Sequence, residues 1–171
     1  TAISFRYIYN IISKNKDKPA RYFSIDKVFR NETLDSTHLA EFRQVEGLIY
    51  DDDLTAKDLI KYLKEFYARI GINNIRVKPT YNPYTEPSFE IQGFFDKLNR
   101  WVEIGNSGIF RPEVLSSFGI KKNVLGFGLA LERSIALRLN LDDIRVIYGP
   151  FADLDFFRNI SERTIYEGII N

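Results

Sequence analysis

Runs of aromatic and β-branched residues that follow one another without regularly alternating helices are what most constrain this chain. Residues 21–30 (RYFSIDKVFR) and 42–50 (FRQVEGLIY) read as two strands, and the turn formers of NETLDSTHLAE between them imply an antiparallel pair joined by a long loop. Further strand candidates lie at 75–79 (IRVKP), 88–94 (SFEIQGF) and 100–104 (RWVEI), separated by the Pro-rich YNPYTEP and by DKLN. The clearest helical signal spans 55–70. Thr55 with Asp58 makes a capping-box start, Leu59, Leu63, Phe66 and Ile70 recur at helical spacing, and Gly71 is placed to close the helix. The glycine-punctuated stretch VLGFGLAL then leads into a helix expected at about 131–139, and a shorter helical ending is expected after Asp155. Strands in succession with few helices predict an α+β fold with an antiparallel sheet, not a βαβ repeat. No linker or repeat divides residues 1–171, which read as one domain.

Charge and composition remove several classes of function. Lys and Arg total 24 against 23 Asp and Glu, a net charge of +1, so there is no global basic footprint for nucleic acid and any such contact has to be local. The absence of Cys excludes disulfides, thiolate metal sites and thiol catalysis, and a single His cannot build a multi-histidine metal centre. A magnesium site made of carboxylates stays open. No apolar run approaches the roughly 18 residues of a membrane span, and TAISFRYIYN has no signal-peptide layout, so a soluble, intracellular protein is expected. A start at Thr1 and the lack of any Met suggest an internal piece of a larger protein.

Individual residues suggest chemistry without settling it. Period 2 puts Phe42, Gln44 and Glu46 on one face of their strand, with Arg43, Val45 and Ile49 on the other. A ring beside an amide and a carboxylate suits a small zwitterion with an aromatic part, although a solvated outer face produces the same pattern. Arg30 and Glu32 leave the preceding strand on a shared face, where a guanidinium fork can meet a phosphate and a carboxylate can accept from an exocyclic amine. Taken alone, that pair is a surface ion pair of little worth. His38, the lone histidine, lies in the loop, and no Ser-His-Asp spacing can be read around it. Glu103 leads into GNSG, expected to be a tight turn that lets backbone approach a ligand. In GFGLALER, Gly126 and Gly128 could admit a flat ring against a strand, and Arg133 follows at a helix start; neither GxGxxG nor GxxxxGK[ST] occurs.

Together, FRNE, THLAEFRQVEG, YNPYTEPSFEI, WVEIGNSGIFRPEVL and GFGLALER stand in an order that resembles the catalytic domain of phenylalanyl-tRNA synthetase α subunits of the archaeal or eukaryotic cytosolic type, over about residues 1–150. The resemblance implies a class II aminoacyl-tRNA synthetase core, an antiparallel sheet flanked by helices with ATP bound bent upon it. It further implies a ligase that activates phenylalanine and transfers it to tRNA(Phe) in the company of a β subunit. Arg30 would meet the α-phosphate, Glu32 the adenine and His38 the outer phosphates. Arg133 would be the second ATP arginine, with Gly126 and Gly128 beside the adenine, and Glu103 would help to hold Mg2+. Gln44 and Glu46 would take the α-amino group of the amino acid, while Asn82, Tyr84 and Phe42 would wall its side chain. Thr1 would be the hydroxyl residue of a short His-Thr-Thr/Ser stretch that touches the substrate.

The chain also departs from that pattern. It starts after the His of the short stretch, has no segment resembling motif 1 or the N-terminal tRNA-binding extension, and carries Arg43 at a commonly aromatic position. These departures leave an alternative: a truncated synthetase paralogue that binds or regulates, or that activates another amino acid.

Overall fold

In the computed structural model, β1 (Ala20–Phe29) and β2 (Glu41–Tyr50) run antiparallel, with Ala20 opposite Tyr50 and Phe29 opposite Glu41. The structure describes residues 18–148 together with Arg6, Ile8, Ala152, Leu154 and Asp155. The expected role of Thr1 and the helical ending beyond Asp155 fall outside these residues. β3 (Ile75–Asn82), β4 (Thr85–Phe95), β5 (Arg100–Phe110) and β6 (Val124–Ala130) complete a six-stranded sheet in the order β1-β2-β6-β5-β4-β3, antiparallel at every pairing. This is the α+β arrangement expected from the run of strands.

Helix α1 (Ala56–Arg69) starts as its sequence requires. The Thr55 hydroxyl accepts from the Asp58 N–H, and the Asp58 carboxylate accepts from the Thr55 N–H at 2.9 Å, so two otherwise unpaired donors are satisfied reciprocally. Gly71 follows the last turn at φ +80°, in the left-handed region, and its N–H reaches the Ala68 carbonyl. The buried stripe is Leu59, Leu63 and Tyr67, with Phe66 and Ile70 only partly covered. The helix is thus rotated slightly from the stripe read through Phe66 and Ile70. Tyr67 is inside because its ring packs on the sheet while its hydroxyl finds the Ile104 carbonyl at 3.2 Å.

α1 packs on one face of the sheet beside α3 (Leu131–Arg138), over a core built from Val45, Ile91, Ile104, Leu125, Phe127 and Leu129. The other face carries a smaller cluster in which Ile8, Leu48, Tyr50, Phe110 and Val124 pack with Leu115 of the short helix α2 (Pro112–Ser116). Next to that cluster the sheet surface opens into a cavity.

GNSG differs from expectation. Gly105 to Gly108 form no turn; they continue β5 and pair with β4 on one side and with β6 on the other. A side chain at position 105 would come within 3.0 Å of the Gly128 carbonyl and closer still to Leu129, so small residues here let a central strand lie tight between its neighbours. Pairing shifts between Ile91–Gly105 and Gln92–Glu103, which leaves Ile104 as an extra residue. That bulge puts Glu103 and Asn106, three residues apart, side by side. YNPYTEP is likewise no free loop, because β3 and β4 extend through most of it.

Candidate active site

The cavity has a volume of about 280 Å³ and lies over the middle of the sheet. Strands bring most of its walls together. β2 contributes Phe42 and Gln44, the β3–β4 hairpin Asn82, Tyr84 and Thr85, β5 Glu103 and Asn106, and β6 Gly126 and Gly128. Arg30 and Glu32 enter from the end of β1 and its loop, and Glu132 and Arg133 from the first turn of α3. Ten of the thirteen residues singled out from the sequence therefore line one space: Arg30, Glu32, Phe42, Gln44, Asn82, Tyr84, Glu103, Gly126, Gly128 and Arg133. Glu46 is on the same strand face as Gln44 but is buried one step beyond the lining, opposite Gly128. His38 is half exposed and outside the lining; its Nδ1 meets Asp35 at 2.9 Å. Thr1 is not among the described residues.

Arg133 is anchored at its tip. Nε donates to the Thr37 carbonyl at 2.8 Å and Nη1 to the Glu103 carbonyl at 3.0 Å, so one guanidinium ties the β1–β2 loop to the bulged strand β5. Burial lowers its pKa, opposed chiefly by Glu103 and Glu32. The loop is fastened further by the Arg30 N–H to the Ala40 carbonyl at 2.8 Å. A short 3-10 turn, Ile144–Ile147, adds its Ile144 N–H to the Ser36 carbonyl at 3.0 Å.

Arg30 is half exposed, with its guanidinium carbon 5.1 Å above the Phe42 ring and its Nη1 3.8 Å from Glu32. A long, loosely paired cation over an aromatic ring at a cavity mouth is well placed for an anionic ligand. Both guanidiniums act on Glu103. Burial pushes that carboxyl up, the Arg133 charge draws it down, nearby Glu90 raises it again and Arg30 lowers it. Residues 30 and 133, about a hundred positions apart in sequence, thus line one cavity together with Glu103.

Sequence reasoning left several contributors unassigned. Asn106 holds the Glu103 carboxylate, a contact created by the bulge and invisible to strict alternation. Thr37 acts through its carbonyl, which leaves no residue-type signal. Glu132 is almost fully buried, and the Arg43 N–H donates to its Oε2 at 2.9 Å. Its position beside Arg133 in GFGLALER was the only available hint.

An antiparallel six-stranded sheet with its two longer helices on one face, and a cavity walled by two arginines on the other, is consistent with a class II synthetase core. The chain belongs to the family described as tRNA synthetases class II core domain (F), which matches residues 1–160. Among curated proteins it is 54% identical over 161 residues to the phenylalanine--tRNA ligase alpha subunit of Dictyostelium discoideum, covering 93% of this chain and 33% of that protein. The corresponding protein of Saccharomyces cerevisiae is 54% identical over 159 residues (91% of this chain, 31% of that protein). That of Halobacterium salinarum is 46% identical over 159 residues (93% and 32%). The chain spans about a third of the length of the curated relatives it matches.

Proposed function

We propose that this chain is the catalytic core of a phenylalanine--tRNA ligase α subunit, which joins phenylalanine to ATP as phenylalanyl-adenylate and then passes the acyl group to tRNA(Phe). The observation that carries this reading is the meeting of Arg30 and Arg133 at one cavity whose neighbouring wall is Gln44, Asn82 and Tyr84. The similarity to curated α subunits supports the choice of amino acid.

In this reading ATP lies between the two guanidiniums, with Glu32 toward its base and His38 beyond its outer phosphates. The ammonium group of phenylalanine is taken by Gln44 with Glu46 behind it, and its ring lies among Phe42, Asn82 and Tyr84. The carboxylate of the amino acid attacks the α-phosphorus and pyrophosphate leaves, so no enzyme nucleophile is needed. Arg30 and Arg133 hold the two reactants in line and offset charge that spreads over the phosphate oxygens. The cavity also contains backbone of Gly126 and Gly128, whose small size keeps its floor open.

Magnesium fits only in company. Among the described residues no group of three or more His, Cys, Asp or Glu could hold a metal ion, so a bare protein site is absent there. Glu103, on the cavity wall beside Asn106, is the single-carboxylate donor that suits a magnesium ion arriving on nucleotide phosphates. When bound, such an ion would neutralise phosphate charge; Glu103 and Asn106 would hold it.

A pocket for an aromatic ring rejects an added hydroxyl by only about a hundredfold, so tyrosine is the natural error and a partner such as the β subunit is the expected place for proofreading. A cytoplasmic location is part of the same proposal. Among the described residues no helix is long and apolar enough to cross a membrane. The test is ATP–pyrophosphate exchange by the assembled ligase containing this chain, run with each of the twenty amino acids. Exchange driven by phenylalanine is expected. ATP binding without exchange, or exchange driven by another amino acid, would favour the paralogue reading.

A further inference from the structure

None of the roles above uses Arg43, the residue that precedes Gln44 on β2. Its surroundings give it one. The ladder between β2 and β6 ends with Gln44 opposite Ala130, after which β6 turns into α3. The Arg43 N–H lies past the end of the β6 ladder and is taken instead by Glu132 Oε2 at 2.9 Å. Glu132 Oε1 stands 3.5 Å from Arg43 Nη1, so a single carboxylate receives both the backbone and the side chain of residue 43. The guanidinium carbon lies 4.9 Å from the Tyr148 ring centre. Tyr148 in turn donates its hydroxyl to Glu41, which also pairs with Lys27 at 2.6 Å.

We propose that the Arg43–Glu132 clamp is a positioning device that fixes the first turn of α3 against β2, and thereby sets where the Arg133 guanidinium stands relative to Gln44. The inference rests on the function proposed above and deepens it. Arg133 reaches Thr37 and Glu103 with its tip, and neither lies on β2. Beyond the last ladder pair, the Glu132 carboxylate ties the root of Arg133 to the strand that carries Gln44. A buried carboxylate keeps its charge only when donors face it, and here burial pushes Glu132 up while the Arg43 N–H and guanidinium draw it down. Loosening the clamp shifts the nucleotide cation against the amino-acid site without touching either ligand, and a misplacement of about 1 Å costs on the order of a hundredfold in rate.

The experiment uses the assembled ligase and follows phenylalanine-driven exchange per active site, titrated by adenylate burst, for Glu132→Ala, Glu132→Gln and Arg43→Ala. Glu132→Ala is expected to lower kcat roughly 10- to 100-fold with KM for phenylalanine within about twofold. Glu132→Gln keeps an oxygen for the Arg43 N–H and should recover most of the loss, while Arg43→Ala should lower kcat severalfold. An unchanged kcat in Glu132→Ala and Arg43→Ala, or a Glu132→Gln enzyme as slow as Glu132→Ala, would overturn the proposal. If Glu132→Ala does not assemble, Arg43→Ala decides: reduced kcat at constant KM supports the clamp, unchanged kcat overturns it. A wild-type enzyme without phenylalanine exchange would instead sink the function proposed above, whereas an active wild type with unaltered variants sinks the clamp alone.

Discussion

Gly126→Ala separates two uses of the same stretch of β6. The resemblance assigns Gly126 to the adenine, yet its side-chain direction leads to Phe110: a β-carbon there would sit 2.6 Å from Phe110 Cε2 and 3.0 Å from Cζ. Ordinary contact begins near 3.4 Å, so the ring has to retreat about 0.8 Å. Phe110 is 4% exposed and packs with Leu115, Ile120 and Val124, which leaves it little room. Tyr84, which walls the cavity, lies against the same ring at a centroid distance of 6.3 Å. Overpacking of this kind costs about 1–3 kcal/mol. At roughly 2–4 °C per kcal/mol for a chain of this size, Tm should fall by about 2–12 °C. If the strain is relieved into the cavity, the amino acid loses the same space, and its KM should rise between a few-fold and about a hundredfold. The assay is exchange kinetics with each substrate varied in turn, beside scanning calorimetry of the same enzyme. A rise in KM for phenylalanine with KM for ATP unchanged is expected. The reverse pattern, or no change in either constant and in Tm, would refute the steric reasoning.

Three further outcomes follow from local structure. Thr55→Ala removes one half of the capping box at α1 and should cost about 0.5–2 kcal/mol in chemical denaturation; an effect below that range would mean that packing alone holds the helix start. Tyr67→Phe leaves the buried Ile104 carbonyl without its hydroxyl donor at the bulge. The cost should be about 1–3 kcal/mol by calorimetry, and a neutral result would show that the bulge does not depend on α1. Asp35 is raised by burial but more than compensated by the Thr37 N–H at 2.7 Å and by His38, so its carboxyl is held well below the usual range. The stabilisation is complete above the unfolded pKa near 4 and is lost as pH falls toward the folded value. The Tm gap between wild type and Asp35→Asn should therefore be open at about pH 5 and should close as pH falls toward 2; a gap constant over that range contradicts this.

The fold was legible where local chemistry decides it. Thr55 and Asp58 announced the start of α1, and the aromatic and β-branched runs announced the strands, because both signals depend on neighbours in sequence. What escaped depended on partners. Whether GNSG turns or continues depends on Ile91 and Leu129 across the ladder, and pairing from both sides outweighed the turn propensity of its glycines. The bulge at Ile104 then moved Asn106 beside Glu103, against the alternation that strand reading assumes. Gln44 was placed on the cavity face by period 2 alone, since β2 is regular along its length; the same rule put Glu46 there, where the cavity ends one step short of it. Arg133 was found through its motif, but its anchors on the Thr37 and Glu103 carbonyls carry no side-chain signature at all.

The central claim is that Arg30 and Arg133 hold one nucleotide between them. It is tested most directly by ATP affinity, measured calorimetrically on the assembled ligase for Arg30→Ala, Arg133→Ala and the double variant. Each single change is expected to weaken ATP at least tenfold, and the double to depart from additivity by about 0.5–3 kcal/mol, as residues sharing one ligand do. Wild-type ATP affinity in either single variant, or strictly additive losses, would contradict the claim.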